Sequence, residues 1–231
     1  MKDLKDYRKK DLGWYTFGNI IIMTLFGNSS ISNSLLYIFN SAKNTNTFDY
    51  SGIISVLTNT VVLTIFSSFI FMLVFILDSV IPSSFKEKLV FIFADRPMRT
   101  IFTTIRSTDQ DDRFSKKQVQ EQYAEIYKKI DTNEDIKQSA YWYNIYHKYR
   151  NEPIIYNSNR DYFLSRDLFI QSIIVLIIYI ILLLLNILNF SQIYISYIIL
   201  LIILTNISSR NKSKKVAYNV IAYDINNSTR N

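Results

Sequence analysis

Four long stretches of the chain carry no charge, and charged residues crowd the segments between them. Residues 168–188 are 21 consecutive uncharged positions whose polar members are Gln171, Ser172 and Asn186. At about 1.5 Å of rise per residue, a helix of this length crosses a hydrocarbon core of about 30 Å. Residues 190–209 are again uncharged, and only a turn around Asn189–Gln192 separates the two runs, so the pattern predicts a helical hairpin. A third run, 52–77, stays uncharged until Asp78 and stops at Pro82. In the fourth, 13–40, Gly27-Asn28-Ser29-Ser30 and Ser32-Asn33-Ser34 interrupt the apolar pattern. Its first part, 14–26, is too short to span alone; with residues 31–39 it is long enough, kinked or locally unwound. The expected fold class is therefore all-α: an integral membrane protein with four transmembrane helices in two hairpin-like pairs.

Between the second and third spans the apolar positions recur at helical spacing. Ser84-x-x-Glu87 has the form of a capping box, and Phe85, Leu89, Ile92 and Phe93 suit a membrane surface. Pro97 can open a helix with Met98, Ile101, Phe102 and Ile105 on one side. Ser115 is a candidate N-cap for a helix running to Ile130, with Val119, Tyr123, Ile126 and Tyr127 as its buried stripe. Thr132, Asn133 and Asp135 mark a turn, and a helix over 136–150 follows. Asn151-Glu152-Pro153 should break that helix, Ile154–Tyr156 should be extended, and Ser158-x-x-Asp161 should cap a helix that enters the third span. After the fourth span, Ala217, Val220, Ile221 and Asp224 keep helical spacing into the tail.

Charge then orients the chain. Of 26 Lys and Arg residues, 25 fall in residues 1–12, 83–166 and 210–231. The outer loop near 41–51 holds only Lys43, balanced by Asp49. By the positive-inside rule both termini are cytoplasmic. The domains expected are a basic N-terminal segment (1–12), two spans (13–82), a helical cytoplasmic segment (83–166), a hairpin of spans (167–209) and a helical tail (210–231). Composition excludes other classes: 49% hydrophobic residues rule out disorder, and no Cys with one His rules out a disulfide scaffold or the usual zinc site.

Candidate chemistry is sparse. In the second span Thr60, Thr64, Ser67 and Asp78 lie within about 40–60° of one another at 100° per residue. Asn19 adds polarity to the first span, and Tyr179 shares a face with Asn186. Such a stripe can line a pore assembled from several copies, with Asp78 as an acidic ring; it can equally be glue between helices, with Asp78 at the interface beside Lys86 or Lys88. The cytoplasmic part interleaves Arg99, Arg106, Arg113, Arg160 and Arg166 with Trp142 and Tyr143, a combination suited to a nucleotide or short single strand. Positive-inside bias alone also supplies basic residues, and Arg160–Asp161 and Arg166–Asp167 can pair locally. Asp109, Asp111 and Asp112 read as an acidic loop rather than a metal site. Four glycines leave no phosphate loop, and His147 finds no catalytic partners, so neither an enzyme nor a bound cofactor is expected.

Several short motifs carry a resemblance: Arg96-Pro97-Met98-Arg99-Thr100-Ile101-Phe102, Asp112-Arg113-Phe114-Ser115, Tyr141-Trp142-Tyr143, and Asn159-Arg160-Asp161-Tyr162 leading to Arg166-Asp167. With spans around a cytoplasmic helical segment, the chain resembles the small membrane effectors of bacterial nucleotide-signalling anti-phage systems, above all the Hailong-type channel effector. The resemblance implies an oligomeric ion channel, held inactive by single-stranded DNA oligomers from a partner nucleotidyltransferase. Opening on infection would dissipate the membrane potential. The functional expectation is a ligand-gated, homo-oligomeric channel, with a tetramer as the expected assembly. The alternative is a non-conducting membrane anchor whose cytoplasmic helices bind a partner protein.

Overall fold

The uncharged run at 168–188 belongs to a much longer helix, because nothing between Pro153 and Leu184 breaks the backbone ladder. In the computed structural model, which describes residues 8–28, 33, 50–108, 111–132 and 137–228, every regular element is a helix. After a short helical turn at Arg8–Leu12 come α1 (Gly13–Gly27), α2 (Tyr50–Val80), α3 (Ser83–Val90), α4 (Pro97–Ser107), α5 (Lys116–Gln122), α6 (Ala124–Asp131), α7 (Gln138–Tyr149), α8 (Pro153–Leu184) and α9 (Gln192–Ser228).

Among the described residues, three helices are long and apolar enough to cross a membrane: Thr58–Val80 within α2, α8, and α9. The first expected span is only partly seen. α1 has 15 residues and rises about 22 Å, short of a hydrocarbon core. The rest of that expected span, apart from Asn33, lies outside the described residues, as do residues 41–49 of the outer loop, Asp109 and the turn at 133–136.

The helix ends have local causes. α8 stops in a Schellman motif: Ile187 N–H donates to Leu182 O at 2.9 Å and Asn186 N–H to Leu183 O at 3.0 Å. Asn186 takes a φ of 56°, which asparagine tolerates better than other side chains except glycine. It therefore sits in the turn rather than on the face of Tyr179. Ser191 caps α9 by accepting from Tyr194 N–H at 3.3 Å. Pro153 opens α8 where an extended stretch is expected from sequence. A first-turn proline loses no helical hydrogen bond, and Ile155 is fully buried. Ser158 accordingly lies inside the helix, its hydroxyl donating to Ile155 O. Ser115 does form a capping box with Gln118, but the helix it opens breaks at Tyr123, with φ −112° and ψ 33°. That break brings the Tyr123 hydroxyl to Asp224, to which it donates at 2.5 Å.

The chain divides into two compact units. An apolar unit takes the described residues up to Lys86 and Asp167–Asn206; a polar unit takes Glu87–Arg166 and the chain from Ile207. In the polar unit, α4, α5, α6 and α7 enclose a core with the first turns of α8 and the end of α9. Phe102, Trp142, Ile155, Val220 and Ile221 are among its fully or almost fully buried members. In the apolar unit α1 packs on α2, with Phe17 edge-on to Phe71 at 6.2 Å, and on the α8–α9 hairpin. Gly27 meets the turn of that hairpin: Asn189 N–H donates to Gly27 O at 2.6 Å, and a Cβ on Gly27 would come within 3.2 Å of Leu188.

Candidate functional site: a buried charge cluster and a polar seam

α2 runs to Val80, Pro82 turns the chain, and α3 starts at Ser83, so Lys86 folds back beside Asp78. The Lys86 ammonium lies 2.5 Å from Asp78 Oδ1 and 3.8 Å from Asp167 Oδ1 on α8. All three side chains are almost fully buried, none more than 3% exposed. One buried cation between two buried carboxylates is costly to desolvate and holds only while the partners stay paired. Asp78 thus sits beside Lys86, the second of the two positions open to it from sequence.

A seam of polar side chains continues from Asp167 into the interior of the same unit. One turn along α8, Gln171 is fully buried and accepts from the Thr16 hydroxyl of α1. Ser172 hydrogen-bonds Tyr15 at 2.6 Å. Asn19 accepts from the Tyr197 hydroxyl at 3.0 Å, and Tyr194 packs edge-on against Tyr179 at 4.6 Å. Two buried atoms on this seam, Gln171 Nε2 and the Tyr194 hydroxyl oxygen, have no partner among the described residues. Polar side chains of this kind hydrogen-bond from helix to helix across a bundle interior. Thr16, Gln171 and Asp167 escape a reading by periodicity because each falls on a different helix from its partner; the only sequence signal is Asp167 and Gln171 at i, i+4.

The stripe expected on α2 is divided. Thr60 and Thr64 are exposed, whereas Ser67 is buried with its hydroxyl unpartnered among the described residues. Thr64 and Ser68 each donate to a backbone carbonyl four residues back, at 2.8 Å. Asn19 belongs to the seam and faces Tyr197.

The residues expected to bind a ligand are spread over the polar unit. Trp142 is 2% exposed and donates from Nε1 to Ala217 O at 3.2 Å, so it is a core residue. Tyr143 is half-exposed, and Arg96, Arg99 and Glu87 all act on its hydroxyl electrostatically. Arg106 pairs with Asp131, and Arg160 lies 3.9 Å from Asp161. Arg166 is buried over the Phe163 ring at 4.8 Å. Arg113 is clasped by Asp111, with Nε to Oδ1 at 2.8 Å and Nη2 to Oδ2 at 2.5 Å. Arg99 and Tyr143 are thus neighbours, while Arg106 and Arg113 each hold a separate acid.

The Arg113 guanidinium holds the Asp111 carboxyl below its usual range, and the carboxylate raises Arg113 in turn. A depressed carboxylate stabilises above the unfolded value of 3.8 and loses that contribution as pH falls through its lower folded value. Carboxyl-carbon NMR should therefore place the Asp111 midpoint below 3.8, with the clasp intact at pH 5. A midpoint at or above 3.8 contradicts the clasp.

No group of three or more His, Cys, Asp or Glu side chains converges as a metal site among the described residues. The chain matches no family model, no curated protein and no solved structure.

Proposed function

We propose that the chain is a membrane effector of anti-phage defence, located in the bacterial inner membrane with both termini cytoplasmic. It assembles as a homo-oligomeric ion channel, a tetramer in the simplest case. A nucleotide or short single-stranded oligonucleotide from a partner nucleotidyltransferase gates it by binding the polar, cytoplasmic unit. The observation that carries this reading is the Asp78–Lys86–Asp167 cluster, with its polar seam, inside the unit that holds the apolar parts of α2, α8 and α9. Charges are retained in such surroundings where ions or protons move, because their desolvation is otherwise pure cost. The resemblance to Hailong-type effectors supports the same function. A ligand would gate by binding one conformation better than the other.

One observation favours the second reading, a non-conducting anchor. The exposed hydroxyls of Thr58, Thr64 and Ser68 donate to their own helix backbone, as hydroxyls facing lipid must. Expression without the partner enzyme should depolarise cells, read with a voltage-sensitive dye. Asp78→Asn combined with Thr64→Leu should reduce the current, while Lys86 keeps Asp167 as counter-ion. Unchanged conduction by that variant removes the pore assignment. Planar bilayers that carry no current in any ligand state establish the anchor.

A further inference from the structure

Within the polar unit an open cavity of about 320 Å³ is lined by Asp111, Arg113, Asn211, Lys214, Lys215 and Tyr218. We propose that it is a phosphate-binding site in which Asp111 acts as a built-in competitor for Arg113. This deepens the gating reading by naming where a phosphate docks, and it rests on that reading only for the phosphate's physiological role.

The lining carries three cations against one carboxylate, so it keeps an excess of two positive charges in a concave surface. An excess of this size matches one phosphomonoester or two consecutive phosphodiesters. The guanidinium of Arg113 already presents its planar fork: Nε and Nη2 grip the two oxygens of Asp111. That bidentate geometry is the one an arginine uses on phosphate. Its remaining nitrogen, Nη1, donates to Asn219 Oδ1 at 2.7 Å, which fixes the ring of donors from behind. Asn219 is 2% exposed, and its own amide nitrogen has no partner among the described residues.

Lys214 and Lys215 are exposed, about one turn along α9 from Asn219. The Lys214 amine rests 5.7 Å from the Tyr218 ring centroid, a weak hold that a phosphate outcompetes. The volume is at the lower end for small-molecule sites and fits one phosphate with its attached group rather than a whole oligomer. Asn211 adds an amide at the rim.

The same chemistry is offered by a nucleotide phosphate and by a lipid headgroup. Lys214 and Lys215 follow the uncharged run 190–209 by a few residues, where basic clusters meet anionic headgroups. The test therefore uses full-length protein in nanodiscs, of phosphatidylcholine alone or with phosphatidylglycerol, and a fluorescent 5′-phosphorylated trithymidylate as probe. In phosphatidylcholine discs the wild type should bind the probe. Lys214→Gln with Lys215→Gln should weaken it about tenfold, equivalent to ~1.4 kcal/mol. Asp111→Asn should tighten it, because Arg113 is released; a residue that only supported the fold would not give a gain.

If phosphatidylglycerol displaces the probe, or if the wild type retains phosphatidylglycerol in native mass spectrometry and the double lysine variant does not, the phosphate is a headgroup. Probe binding that phosphatidylglycerol leaves untouched assigns the site to soluble nucleotides. Equal affinity for probe and lipid across wild type and both variants, or no binding of either by the wild type, overturns the proposal. None of these readouts requires current, so failure here is separate from failure of the channel reading.

Discussion

Lys86→Met should destabilise the apolar unit by about 3–5 kcal/mol, the cost of stripping a buried ion pair of one partner. The substitution keeps an unbranched side chain one atom shorter and removes its charge. Asp78 and Asp167, 2% and 0% exposed, are then left without the ammonium that lies 2.5 and 3.8 Å from them. Each buried carboxylate then loses a counter-ion it has in the wild type, at the point where the α2–α3 elbow meets α8. Unfolding in mixed micelles, followed by circular dichroism, measures the loss. The triple variant Lys86→Met, Asp78→Asn, Asp167→Asn removes the charges together and should recover the loss, since an apolar or neutral replacement of a buried pair is often neutral or stabilising. A single variant as stable as wild type would mean that the cluster holds nothing together.

Trp142→Ala should cost the polar unit about 3–5 kcal/mol, in the range of large aromatic truncations in a core. The indole packs parallel to Tyr146, with ring centroids 5.3 Å apart, and donates to the Ala217 carbonyl on α9. Its removal leaves a cavity between α7 and α9 and deletes the indole hydrogen bond that ties the two helices together. Trp142→Phe should cost less, because most of the ring volume remains. Thermal unfolding without any ligand is the deciding measurement. If Trp142→Ala melts with the wild type yet loses affinity for a phosphate probe, Trp142 is a ligand contact and its assignment to the core fails.

Much of the architecture was legible in the pattern of charge. The uncharged runs at 168–188 and 190–209 correspond to the apolar parts of α8 and α9, because an uncharged run of that length has few other folded forms. Ser115 was legible as an N-cap, since the backbone N–H it caps lies only three residues on. The break at Tyr123 was not legible. Its stripe of apolar residues continues at helical spacing, and the reason for the break, Asp224, lies 101 residues away. Trp142 was ambiguous for a related reason. Basic neighbours made it look available to a ligand, but periodicity cannot say whether an aromatic face meets a base or the side of another helix. Asp78 and Lys86 could be paired from their spacing around Pro82, whereas Asp167 could not, because only the tertiary fold brings α8 to that elbow.

The seam also sets an order of events during synthesis. Thr16, Tyr15 and Asn19 on α1 find their partners 155, 157 and 178 residues later in the chain. At about 5–20 residues per second, roughly 8–36 s pass before the ribosome has made them. Until then α1 has α2 to pack on, and its polar side chains must be carried without α8 and α9. Thr16 and Asn19 each bond a carbonyl four residues back, Leu12 at 2.8 Å and Tyr15 at 2.8 Å, so the helix brings its own provisional partners to the translocon. A chain cut short before α8 would keep α1 in that provisional state, with its inward face unburied and open to the proteases that patrol membrane assembly.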